Sequence, residues 1–138
     1  MSDQANFPEP DDSPLWRPFW QGVNEGRLSY MRCKVCSHAF LPPRPECPNC
    51  LRPGPEWLVA SGKAKLVSWI VYHTVADPIF KARLPYTVAI VELAEGPRMT
   101  TNIVGVADPE GLSIEQQLEL RIEKEASTSV PRFAPVAA

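Results

Sequence analysis

The 138-residue sequence predicts a mainly β protein: a short N-terminal helix, a metal-stapled segment, and a small closed or partly closed antiparallel barrel. Three observations carry this. All four cysteines fall within CKVCSHAFLPPRPECPNC, residues 33–50. Proline runs at about twice its ordinary usage and is concentrated in the first 55 residues, which makes that half irregular. Beyond it, β-branched and aromatic runs are separated by Gly, Pro and Asp turns.

In chain order, MSDQANFPEPDD is polar and acidic and reads as a disordered tail. In SPLWRPFWQGVNEGRL, a proline inside a helix would cost about 3 kcal/mol, so the helix is expected to start at Pro18. Phe19, Trp20 and Val23 form its apolar stripe, Gly26 ends it, and Trp16 lies in the lead-in. So short a helix is not stable alone, so its aromatic side chains need a surface to cover. That surface is the fold's own core or a partner, with the core favoured. LSYMRC alternates like a strand and runs into the cysteines. KAKLVSWIVYH, YTVAIVEL and RMTTNIVGV follow as strands, and LELRIE alternates with period two, Leu118, Leu120 and Ile122 on one face. Residues 112–125 tolerate a helix as well; the alternation and the preceding DPEG turn favour a strand. Four or five strands in this length suggest the barrel.

The net charge is −2, unevenly spread. Before residue 27, five acids face Arg17 alone; between Arg27 and Arg83, nine basic residues face three acids. The basic middle contains the cysteines and suits a phosphate-bearing ligand, although single charges there can equally be a solvated face. An acidic chain of this kind is a poor match to a nucleic-acid binder. With no long apolar run and an acidic N-terminus, neither a membrane span nor a secretory signal is expected, and the cytoplasm is the expected compartment. There cysteines stay reduced, which favours metal ligation over disulfides.

The spacing C-x2-C-x10-C-x2-C lets two tight turns present four thiolates tetrahedrally, from Cys33, Cys36, Cys47 and Cys50. One structural Zn²⁺ is favoured; iron in a rubredoxin-like site shares the ligand set, and a metal-free state and two disulfides are the other options. Four cysteines close the site, whereas catalytic zinc keeps a position open. His38 is then redundant as a ligand, and His73, at the end of a strand, reads as a rim or core residue. No glycine-rich phosphate loop, nucleophile elbow or spare cysteine is present in the sequence, so the chain is not expected to be an enzyme by itself.

The ordered set PFW, GRL-x-Y, the paired cysteines with PRPECPNC, SGKAKLVSW and PYTVAIVEL-x-E-G resembles the domain-of-unknown-function-thirty-five family from about Pro18 to Glu123. The resemblance implies a rubredoxin-like zinc ribbon at residues 33–56 and a C-terminal five-stranded OB-fold barrel at 57–133. A tail at 1–13 and the helix with its lead-in strand at 14–32 precede them. One departure is Glu115-Gln116-Gln117, where members often carry a Gly-Met-Pro-like turn. The resemblance also implies acyl-CoA as ligand and a thiolase-like large subunit as partner, in a heterotetramer of two large and two small chains. Such partners are thiolases of acyl-CoA degradation and aldolases of steroid side chains, which carry the catalytic residues. On charge alone Arg32, Lys34, Lys81 and Arg83 are the candidates to contact the coenzyme, and Phe19 and Trp20 the candidates to dock the partner. Two rival readings stand beside this one. The first is a nucleic-acid binder stacking bases on Trp57, Trp69, Tyr72 and Tyr86. The second is electron transfer through iron at the four cysteines.

Overall fold

The computed structural model of the protein describes residues 10–75, 78–106, 108–125 and 128–136. The tail expected at 1–13 lies largely outside the described residues.

Helix α1 spans Arg17–Asn24, with Pro18 in its first turn, where a backbone N–H has no partner to lose. The Glu25 N–H closes on Gln21 O and Gly22 O, and Gly26, at φ +88°, turns the chain out. Phe19, Gly22 and Val23 are buried. Phe19 meets Trp16 and Trp20 edge-on, at 5.5 and 5.1 Å between ring centres. Among the described residues, no helix is long and apolar enough to cross a membrane.

Next come β1 (Ser29–Arg32), β2 (Ala39–Phe40) and β3 (Glu56–Val59), in an antiparallel sheet ordered β2-β1-β3. Met31 is its centre, opposite Phe40 on one side and Trp57 on the other. Met31, Cys33, Phe40 and Cys47 form a small core of their own. By hydrogen bonding β3 belongs to this sheet, so the ribbon's sheet runs on to Val59.

The remaining strands are β4 (Lys63–Tyr72), β5 (Tyr86–Leu93), β6 (Arg98–Ile103), β7 (Gln117–Glu125) and β8 (Thr128–Pro135). They form a closed barrel ordered β4-β5-β6-β8-β7, with β7 pairing back onto β4. One seam is parallel, where Ile103 of β6 faces Phe133 of β8, so the barrel is not wholly antiparallel. β4 carries a bulge between Leu66 and Ser68, which bends it around the barrel. There the turn at 113–116 is tied on: Glu115 N–H donates to Leu66 O (2.7 Å) and Leu66 N–H to Gln116 O (3.0 Å). Glu115 itself has φ +65°, a left-handed conformation that glycine adopts freely.

Inside lie Leu66, Val91, Leu93, Leu118 and Phe133, all nearly inaccessible, joined by Phe19 and Val23 of α1 and by Leu28. The fold's own core therefore covers much of the helix stripe. Trp57 packs against both cores and is their common wall.

Candidate metal centre and adjoining surfaces

Each C-x-x-C builds the same turn. Ser37 N–H donates to Cys33 O (3.1 Å) and Leu51 N–H to Cys47 O (2.8 Å). Cys33 N–H and Cys47 N–H reach across to His38 O and Arg52 O, both at 2.9 Å. The turns close through left-handed Ser37 (φ +65°) and Leu51 (φ +66°). This curl aims backbone donors at sulfur: Val35 and Cys36 N–H at Cys33 Sγ (3.4 Å each), Asn49 and Cys50 N–H at Cys47 Sγ (3.3 and 3.5 Å).

The turns face each other. Cys33 Sγ lies 3.5 Å from Cys50 Sγ, Cys36 Sγ lies 3.6 Å from Cys47 Sγ, and all four sulfurs fall within 4.8 Å. Tetrahedral zinc with Zn–S of about 2.3 Å needs sulfurs about 3.8 Å apart, so the donor set fits the ion. The His38 ring stacks on Phe40 (5.9 Å between ring centres) outside the sulfur cluster.

The surroundings favour thiolate at Cys33 and Cys36. Cys33 is lowered by the Cys36 and Val35 backbone amides. Cys36 is lowered to about 6 by the Asn49 side-chain amide and the His38 backbone amide. At Cys50 the Arg52 backbone amide pulls downward, yet burial and the three neighbouring sulfurs push the thiol up to about 11. Four thiols this close cannot all ionise without a cation between them. Asn49, whose amide lies 3.6 Å from Cys36 Sγ, was not singled out from the sequence, although its place inside C-P-N-C is the signal that could have found it.

The proposed coenzyme contacts separate into two places. Arg32 ends β1 and Lys34 lies in the first turn, both exposed on the ribbon. Lys81 and Arg83 lie on the 3-10 segment Pro78–Arg83 between β4 and β5. Arg83 is paired at 2.6 Å with Glu125, which also pairs with Arg132 at 2.8 Å; Arg132 reaches Glu123 at 2.9 Å. Arg132 is only 13% exposed. Burial pushes Glu125 up, but Arg83 and Arg132 outweigh it and hold its carboxyl below the usual range. This network borders a cavity of about 520 Å³ at one end of the barrel, walled by Tyr86, Val104 and Pro109.

Of the proposed docking pair, Phe19 is committed to the barrel core, while Trp20 is half-buried. Trp20 lines a cleft of about 440 Å³ with Trp16, Leu41, Met99 and Val130, where helix, ribbon loop and barrel meet. Its Nε1–H is buried without a partner among the described residues.

A closed four-cysteine site on a three-stranded sheet, joined to a five-stranded barrel of this strand order, defines a zinc-ribbon and OB-fold protein. Residues 20–56 match the family described as the ChsH2 rubredoxin-like zinc ribbon domain, and residues 57–123 the ChsH2 C-terminal OB-fold domain. The chain is 41% identical over 110 residues to a DUF35 domain-containing scaffold protein of Methanothermobacter thermautotrophicus, covering 79% of each chain. It is 36% identical over 119 residues to the "Probable enoyl-CoA hydratase alpha subunit" of Thermomonospora curvata, covering 85% of this chain. It spans only 36% of that relative's length. A solved chain described as "Ltp2-ChsH2(DUF35) aldolase" superposes with a TM-score of 0.82 at 32% identity, covering 94% of this chain and 100% of the other. The chain belongs to the DUF35 family, in its ChsH2-type form.

Proposed function

We propose that this protein is a non-catalytic accessory subunit that binds acyl-CoA and complexes with a thiolase-fold enzyme, a thiolase or a steroid side-chain aldolase, in cytoplasmic acyl-CoA degradation. The observation that carries this reading is the likeness, over nearly the whole chain, to the DUF35 component of an aldolase. The name of the Thermomonospora curvata relative supports a coenzyme A thioester as the ligand.

Cys33, Cys36, Cys47 and Cys50 hold one zinc ion in this reading. When bound, zinc supplies charge balance for four thiolates and a cross-link between the two turns, with no open position for substrate. The chain's own part is to shape and hold. Arg32, Lys34, Lys81 and Arg83 offer charge to the coenzyme's phosphates, Arg83 from within its ion pair. Trp20 contributes to docking, while Phe19 fixes the helix that presents it. The complex is a heterotetramer of two large and two small chains.

The test is reconstitution with a purified thiolase-fold enzyme from the same genome. A stable complex is expected, with partner activity on an acyl-CoA falling when this chain is omitted. A partner equally active alone, with no complex by size-exclusion chromatography, overturns the reading.

A further inference from the structure

One face of the barrel is unusual for a surface open to water. The bulge in β4 sets which side chains point outward beyond it. On β4 these are Ser68, Ile70 and Tyr72; on β5 they are Tyr86, Val88 and Ile90; on β6, Thr100 and Asn102. The registers place them in ladder rungs: Tyr72 opposite Tyr86, Ile70 beside Val88 beside Asn102, and Ser68 beside Ile90 beside Thr100. The tyrosine rings meet edge-on at 5.3 Å. These rungs carry no charge. The next rung does, as Lys65, Glu92 and Arg98, with Glu92 bridged to both cations at 3.3 and 3.0 Å.

A solvated sheet face ordinarily alternates apolar-in with polar-out. Here Ile70, Tyr72 and Ile90 remain 53%, 40% and 40% exposed at the centre of the face. An uncharged apolar centre with charges at its border is the arrangement of a protein interface. It does not suit a nucleic-acid strand, which needs cations along its path. By strand spacing and rise the uncharged face covers on the order of 250 Å². Two copies meeting on it alone would fall well short of the roughly 800 Å² per partner that stable association takes. The face does not stop at β6, however: Thr100 and Asn102 also line the cleft of Trp16 and Trp20. A larger partner can cover both at once.

We infer that the outer face of β4, β5 and β6, continued into the tryptophan cleft, is the surface on which the large subunit docks. This rests on the accessory-subunit reading and adds the location. The partner surface it fits is apolar and uncharged at its centre.

The experiment compares wild type, the double variant Ile70→Glu/Ile90→Glu, and the control Val59→Glu, whose valine is exposed on the ribbon sheet. Binding to the purified thiolase-fold enzyme is measured by calorimetry, with zinc content and thermal melting of each chain as folding checks. The double variant is expected to keep its zinc and melting temperature yet bind at least a hundredfold more weakly, while Val59→Glu binds like wild type. If wild type associates and the folded double variant associates equally well, the inference is overturned and the accessory-subunit reading stands. If wild type binds no thiolase-fold enzyme, both fall. If light scattering shows wild type alone dimerising through this face and the double variant monomeric, the occupant is a second copy and the inference is overturned. Loss of single-stranded nucleic-acid binding in the double variant would overturn it equally.

Discussion

The ribbon and the barrel solve the same problem, holding a chain in one conformation, by opposite means. The ribbon's core is Met31, Cys33, Phe40 and Cys47, two of them members of the four-sulfur cluster, with a two-residue strand at its edge. In the zinc-bound reading proposed above, its order depends on the four-sulfur cluster. The barrel buries Leu66, Val91, Leu93, Leu118 and Phe133 to near-zero accessibility and closes its own sheet edges. A small unit without enough apolar side chains leans on a metal, and a larger one leans on packing. Trp57 is the wall through which each senses the other.

The sharpest break of that contrast pairs two substitutions. Cys47→Ser removes a buried ligand and is expected to abolish metal binding, ribbon order and partner docking together, since zinc supplies on the order of 10 kcal/mol to such sites. Phe133→Ala is expected to destabilise the barrel by about 3–5 kcal/mol, yet leave stoichiometric zinc at temperatures where the barrel remains folded. Native mass spectrometry and urea melts separate the two. A Cys47→Ser chain that lost its metal yet docked and supported full activity would make the metal dispensable.

A smaller effect is expected in the ion network at the barrel end. Arg132→Met leaves Glu125 with Arg83 as its remaining ion-pair partner, at a cost of about 2 kcal/mol at pH 7. The folded-state pKa of Glu125 is depressed, so its contribution is present above the ordinary glutamate value of about 4.3 and is lost as pH falls through the lower folded value. The gap between variant and wild type in urea midpoints should therefore be full at pH 6 and shrink in more acidic buffer. A gap that stayed constant to pH 3 would assign the cost to lost packing of the arginine.

The smallest effect is a gain. Glu115→Gly relieves a left-handed glutamate whose pairing with Lys65, at 3.7 Å, is largely solvent-exposed. A stabilisation of about 0.5–1 kcal/mol is expected in thermal melts, with zinc content unchanged.

Much of this was legible from sequence for definite reasons. Pro18 and Gly26 punctuate the helix, the strands over Lys63–Tyr72, Tyr86–Leu93 and Arg98–Ile103 are β-branched runs, and period-two alternation marks Gln117–Glu125. The cysteine spacing points to a four-sulfur cluster by itself. What stayed hidden depends on distant partners. β3 follows Pro53-Gly54-Pro55, and β8 contains Pro131 and ends at Pro135, and neither is named as a strand from sequence alone. Yet β8 closes the barrel, and its seam with β6 is the parallel one that a chain of hairpins does not suggest. Arg83 looked like an available cation because Glu125, its partner, lies 42 residues away.

The position of β8 bears on how the protein emerges from the ribosome. The ribbon's strand pairings and all four cysteines fall between Ser29 and Val59, so in the zinc-bound reading that unit can close on a metal while the barrel is still being made. α1 must wait, because it packs on β8, more than a hundred residues downstream. Until that last strand arrives, Phe19 and Val23 lack part of the core that buries them. The first element synthesised is among the last to be secured.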